Sequence, residues 1–96
     1  MLIKIISNVD DCPMTRIIDT NTVNYTEMDY DAKVTIIHNG GKISFTLCDI
    51  SSIFWKSVKD SQWCEIEMEP GVDLSNILGA LESMIWDNDA PEKIED

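Results

Sequence analysis

Ninety-six residues make one small domain with no room for a second core. A hydrophobic fraction of 44% with seven aromatic residues supports a folded globule and excludes a disordered chain. Eighteen Asp and Glu against seven Lys and Arg leave a formal net charge of −11, which repels nucleic-acid phosphates and anionic membrane surfaces alike. A basic protein surface is the partner class that this charge favours.

The N-terminal MLIKIISNVDD holds an apolar run too short for a signal peptide, and no later segment approaches a membrane span. Residues 2–7 (LIKIIS) form the first predicted strand, and its isoleucine content leaves the buried face undecided. Loop chemistry at Asp10-Asp11-Cys12-Pro13 separates it from weaker strand candidates at 14–19 (MTRIID) and 22–28 (TVNYTEM). Cys12, Cys48 and Cys64 are odd in number and far apart, so the expectation is a reduced, cytoplasmic protein without a required disulfide.

The clearest hairpin joins AKVTIIH (32–38) to KISFTLC (42–48) through Asn39-Gly40-Gly41. An Asn-Gly loop predicts a type I′ turn with positive φ at both positions. That loop sets Ile36 against Ile43, Val34 against Phe45 and Ala32 against Leu47, all on one face; a one-residue slip would bury Lys33, Thr35, Ser44 and Thr46 instead. A second hairpin is predicted between SIFWKSV (52–58) and WCEIEME (63–69), with a short helix capped by Asp49 as the alternative for 50–58. Pairing Val58 with Trp63 places Trp55 opposite Ile66, Ile53 opposite Met68, and Lys56 opposite Glu65. Glu67 and Glu69 are then left without partners.

A closing helix is predicted from Asp73 as N-cap, with a staple of Val72 on Ile77. Leu74, Ile77, Leu78, Leu81, Met84 and Ile85 share one stripe of a 3.6-residue wheel, and Asp87 to Pro91 end it. The stripe reads as core, so the helix must lie on a sheet. The expectation is one α+β domain over residues 1–90, an antiparallel sheet of about five to seven short strands with one C-terminal amphipathic helix packed on it, followed by an acidic tail at 91–96. Six or seven strands and a closing helix resemble the layout of pleckstrin-homology-like domains. That resemblance is one of element order; the basic lipid-binding loops of the phosphoinositide-binding members are missing here.

Motifs for catalysis are absent. His38 is the single histidine and flanks the Asn-Gly turn, so no Ser-His-Asp or Cys-His arrangement can be built. There is no CxxC or HxxxH, and no glycine-rich phosphate loop. Glu27-Met28-Asp29-Tyr30-Asp31 departs from a calcium loop, because Ala32 stands where a glycine belongs and His38 where a bidentate glutamate belongs. Neither an enzyme nor a metal or cofactor site is expected.

Two rows of carboxylates remain. Side chains alternate along a strand, so Glu65, Glu67 and Glu69 line one face, with Trp63 on the same parity. Glu27, Asp29 and Asp31 form a second row if that segment is extended. Trp86 lies off the apolar helix stripe. An exposed tryptophan inside a charged rim is the composition of a protein-binding hot spot. The functional expectation is therefore an acidic, non-enzymatic binder, monomer or homodimer, that docks on a basic protein surface through these eight residues. Its partner would be a nucleic-acid-binding protein, with the carboxylates standing in for phosphates. In size, acidity and lack of catalytic motifs the chain resembles small phage-encoded inhibitors of restriction, CRISPR or repair enzymes, which would place it in a host cytoplasm. The alternative is a small adaptor or subunit domain that binds a peptide or partner protein through a sheet edge or the Trp63 region.

Overall fold

The computed structural model describes residues 1–95 as eight strands and one helix, an α+β fold in two sheets. The strands are β1 (Leu2–Val9), β2 (Cys12–Asp19), β3 (Val23–Met28), β4 (Lys33–His38), β5 (Gly41–Thr46), β6 (Ile50–Lys56), β7 (Cys64–Met68) and β8 (Lys93–Ile94), and the helix α1 spans Leu74–Asp87. Short 3-10 turns at Thr20–Thr22 and Leu47–Asp49 link the two sheets. One sheet has the order β2-β1-β6-β7-β8 and the other β3-β4-β5. The segment before residue 57 is thus a strand rather than a short helix.

Alternation along each strand explains the core. Ile3 and Ile5 of β1, Ile18 of β2, Ile53 of β6 and Ile66 of β7 are buried, as are Val34, Ile36 and Phe45 in the smaller sheet. Ile77, Leu81, Met84 and Ile85 of α1 close on the same cluster. The predicted apolar stripe is therefore the buried one, with Leu74 and Leu78 half-buried at its margin. Asp73 caps the helix by accepting from the Ser75 N–H at 3.1 Å. At the other end Asn88 adopts a left-handed conformation (φ 52°) and the chain turns away.

The β4–β5 register is as predicted, with Val34 opposite Phe45 and Ile36 opposite Ile43. Ala32 lies just outside the strand, and its carbonyl accepts from the Leu47 N–H at 2.9 Å. The turn itself differs from the type I′ expectation: Asn39 and Gly40 keep negative φ, and the positive φ falls on Gly41 at 136°. The His38 ring accounts for this, since its Nδ1 accepts from the Gly40 N–H at 3.0 Å while the Asn39 N–H donates to the Thr22 carbonyl at 3.1 Å. A Cβ at Gly40 would stand 3.1 Å from the His38 ring. The two-left-handed-residue turn occurs instead at Asp10 (φ 51°) and Asp11 (φ 62°), between the paired Val9 and Cys12.

In the β6–β7 hairpin Ile53 faces Ile66, Phe54 faces Glu65 and Trp55 faces Cys64, a slip of two residues from the predicted pairing. Every side chain keeps its predicted face because the slip is even. The loop over residues 57–63 is longer than expected, closed by Asp60 N–H to Ser57 carbonyl at 3.0 Å. Residues 91–96, read as an acidic tail, contain β8, which pairs in parallel with β7 and buries Ile94 to 3% exposure; Asp96 lies outside the described residues. An eighth strand thus follows the helix.

Candidate protein-binding surface

The glutamates of β7 do point outward, on the face opposite the buried Ile66. Glu69, which follows them on the same parity, is not left without a partner. Glu67 stands opposite Lys93 in the β7–β8 register, and the Lys93 ammonium lies 3.3 Å from Glu69 and 3.8 Å from Glu95. The hydrogen bond and charge of Glu69, with smaller contributions from Glu67 and Glu95, hold the Lys93 pKa above its ordinary value of 10.5. Lys56 does not face Glu65; its ammonium donates to the Asp60 carbonyl at 2.9 Å.

Trp63 is half-buried rather than a free anchor. The Lys4 ammonium sits 4.7 Å from the centroid of its ring and 4.5 Å from that of Phe54, and Lys56 lies 5.2 Å from Trp63. Its aromatic face is engaged by the chain's own cations. Around it, the outer face of the larger sheet carries Leu2, Ile6 and the exposed Ile17, so β1 is apolar on both sides.

The second expected row does not form. Glu27 lies on β3 opposite Thr35, but Asp29 and Asp31 fall in the turn to β4. The Asp29 carboxylate accepts from the backbone N–H of Asp31 at 2.9 Å and of Lys33 at 3.0 Å, which turns the chain where an extended row was expected. Met28 and Tyr30 are left exposed at this corner. Glu27 and the β7 glutamates occupy outer faces of different sheets with the core between them, so the six acids do not line up as one strip.

A different concentration of charge emerges. Residues 63–96 hold ten of the eighteen acids and one of the seven cations, hence −9 of the net −11. In space its described residues, 63–95, run through β7, its neighbour β8, and α1, which packs against β8. Glu65, Glu67, Asp73, Glu82, Asp87, Asp89, Glu92 and Glu95 are exposed along it. Trp86 is 48% exposed, with about half of its surface open to solvent. Glu82 precedes it by one helical turn and shares its side of the helix. Glu82, Asp87 and Asp89 escaped the sequence reading because they belong to no strand ladder; a running charge sum along the chain would have found them.

No protein-family model matches the chain, and no curated protein or solved structure matches it. The likeness to pleckstrin-homology-like domains accordingly stays at element order. No helix among the described residues is long and apolar enough to cross a membrane.

Proposed function

We propose that this protein is a non-enzymatic acidic binder that docks on the basic surface of a partner protein through its β7–α1–β8 side. The observation that carries this reading is the −9 charge of residues 63–96, set beside an exposed Trp86. Trp86 supplies the apolar anchor, and Glu82, Asp87 and Asp89 the charged rim. Long-range attraction steers a cationic partner to this side and orients it before contact. A nucleic-acid-binding protein is the partner this chemistry suits, because its phosphate-binding groove would meet carboxylates where it normally meets phosphates. The helix side takes over the role first expected of the two strand rows, in which Glu69 is paired with Lys93 and Asp29 with turn backbone.

The test combines affinity capture with salt titration. Captured basic protein should lose at least about ten-fold in affinity between ~50 and ~300 mM salt, since that range shortens the screening length to within a few ångströms of contact. Glu82→Lys with Asp87→Lys should abolish binding. Affinity indifferent to salt and to both reversals overturns the proposal.

The outer face of the larger sheet favours a second reading, the adaptor. Leu2, Ile6, Ile17, Phe54 and Trp63 form an apolar strip on that face, beside Lys4, Lys56 and the β7 glutamates. An adaptor using it would lose its partner on Ile17→Lys and ignore the helix reversals.

A further inference from the structure

At the N-terminal end of α1 the structure has a small apolar pocket of about 140 Å³, walled by Met28, Ala32, Leu47, Leu74, Ser75 and Leu78. It opens where the helix crosses the β3–β4 corner. Met28, on its rim, is 53% exposed, and Tyr30 beside it is fully exposed. Large apolar side chains left open around a concavity are otherwise unexplained in a chain with a complete core.

The surroundings of the pocket are acidic. Asp29 follows Met28 in the chain, Asp31 precedes Ala32, and Asp73 precedes Leu74. One carboxylate oxygen of Asp29, Oδ1, accepts both turn N–H groups, which leaves the charge in place. One cation, Lys33, follows Ala32, and it lies on the outward side of β4 beside the buried Val34.

The pocket also belongs to a longer surface. Ser75, Leu78, Glu82 and Trp86 follow one another at helical spacing, within about 80° of arc. From Leu78 to Trp86 is about 12 Å along the axis. An apolar socket, a carboxylate and an exposed indole thus run in line down the helix.

We infer that this groove receives an extended basic segment of a partner protein, with one aliphatic side chain seated between Met28 and Leu78 and flanking Lys or Arg side chains over Glu82 and the corner acids. The inference rests on the proposed acidic docking function and gives it a linear recognition element. Charge complementarity selects the segment and the socket sets its register. A nucleic-acid strand does not fit, since phosphates would meet the acids.

The experiment uses the full chain and two fluorescein-labelled heptapeptides, KRKLKRK and KRKSKRK, with anisotropy at fixed salt. Burial of one leucine should make the first bind about ten-fold more tightly than the second. Ser75→Trp, which fills the socket from the exposed side, should erase that preference and keep the weaker binding of the serine peptide. Met28→Gln on the opposite wall should do the same, which guards against a folding defect in either variant. Glu82→Lys should weaken both peptides equally. Equal binding of the two peptides, or a ten-fold preference that survives both socket variants, overturns the inference. In that case a loss on Glu82→Lys still upholds the acidic docking function; a leucine preference kept while Glu82→Lys weakens neither peptide upholds the socket and removes the charge reading.

Discussion

Lys93 on β8 reaches Glu69 just past the end of β7 at 3.3 Å, so a lysine next to the C-terminus is the counter-charge of the glutamate ladder. The Glu67 N–H donates to the Glu92 carbonyl at 3.2 Å and the Glu69 N–H to the Ile94 carbonyl at 3.1 Å, which places the ion pair on a hydrogen-bonded edge. Because Glu69 raises the Lys93 pKa above 10.5 in the folded chain, the stabilisation is whole below pH about 10.5 and disappears as pH rises through the folded value. Unfolding midpoints measured from pH 8 to 11.5 should fall more steeply for the native chain than for Lys93→Met. Hydrogen exchange at the Glu67 and Glu69 amides should accelerate in the variant. Parallel pH profiles would show that the pair contributes nothing.

Ile94 anchors the same edge. It is 3% exposed and joins the core cluster, although β8 has two residues. Ile94→Ala should cost about 2–4 kcal/mol, the range for truncating a buried isoleucine, read as a drop in the urea midpoint at unchanged slope. A loss under about 0.5 kcal/mol would mean that β8 frays in solution.

How far the sequence discloses this molecule depends on the range of each signal. The β4–β5 register is legible because apolar and polar residues alternate on both sides of a short loop, and a slip would bury Lys33. The second hairpin shows the limit: Lys59-Asp60-Ser61 has no residue that demands a special φ, so parity survives while register moves. β8 is illegible, since two residues have no periodicity and Ile94 sits among Glu92, Lys93 and Glu95. Sheet order is beyond local pattern too, because β1 pairs with β6 across half the chain. Outward acids were readable from alternation; their counter-charges were not, because Lys93 meets Glu69 only through β8.

The β1–β2 turn stores removable strain. Asp10 and Asp11 both hold positive φ, a conformation that costs most L-residues about 1–2 kcal/mol and aspartate less. Replacing them by Asn-Gly, the pair best suited to a type I′ turn, should raise stability by about 0.5–1 kcal/mol and remove two like charges from one turn. Chemical denaturation of D10N/D11G measures it. A lower midpoint would show that the aspartates make contacts elsewhere.

Lys4 tests whether the outer sheet face is sealed by its own cations. Its ammonium covers Phe54 and Trp63 together, each contact worth about 0.5–1 kcal/mol at an exposed site. Lys4→Met keeps most of the aliphatic stem over the rings and removes the charge, so it should cost about 1–2 kcal/mol and no more. In a Trp55→Phe, Trp86→Phe background the remaining Trp63 emission should shift when the ammonium is removed. If the stability loss is nil and the emission unmoved, the lysine does not hold the indole in solution. Trp63 would then be as available to a partner as the strand alternation first suggested.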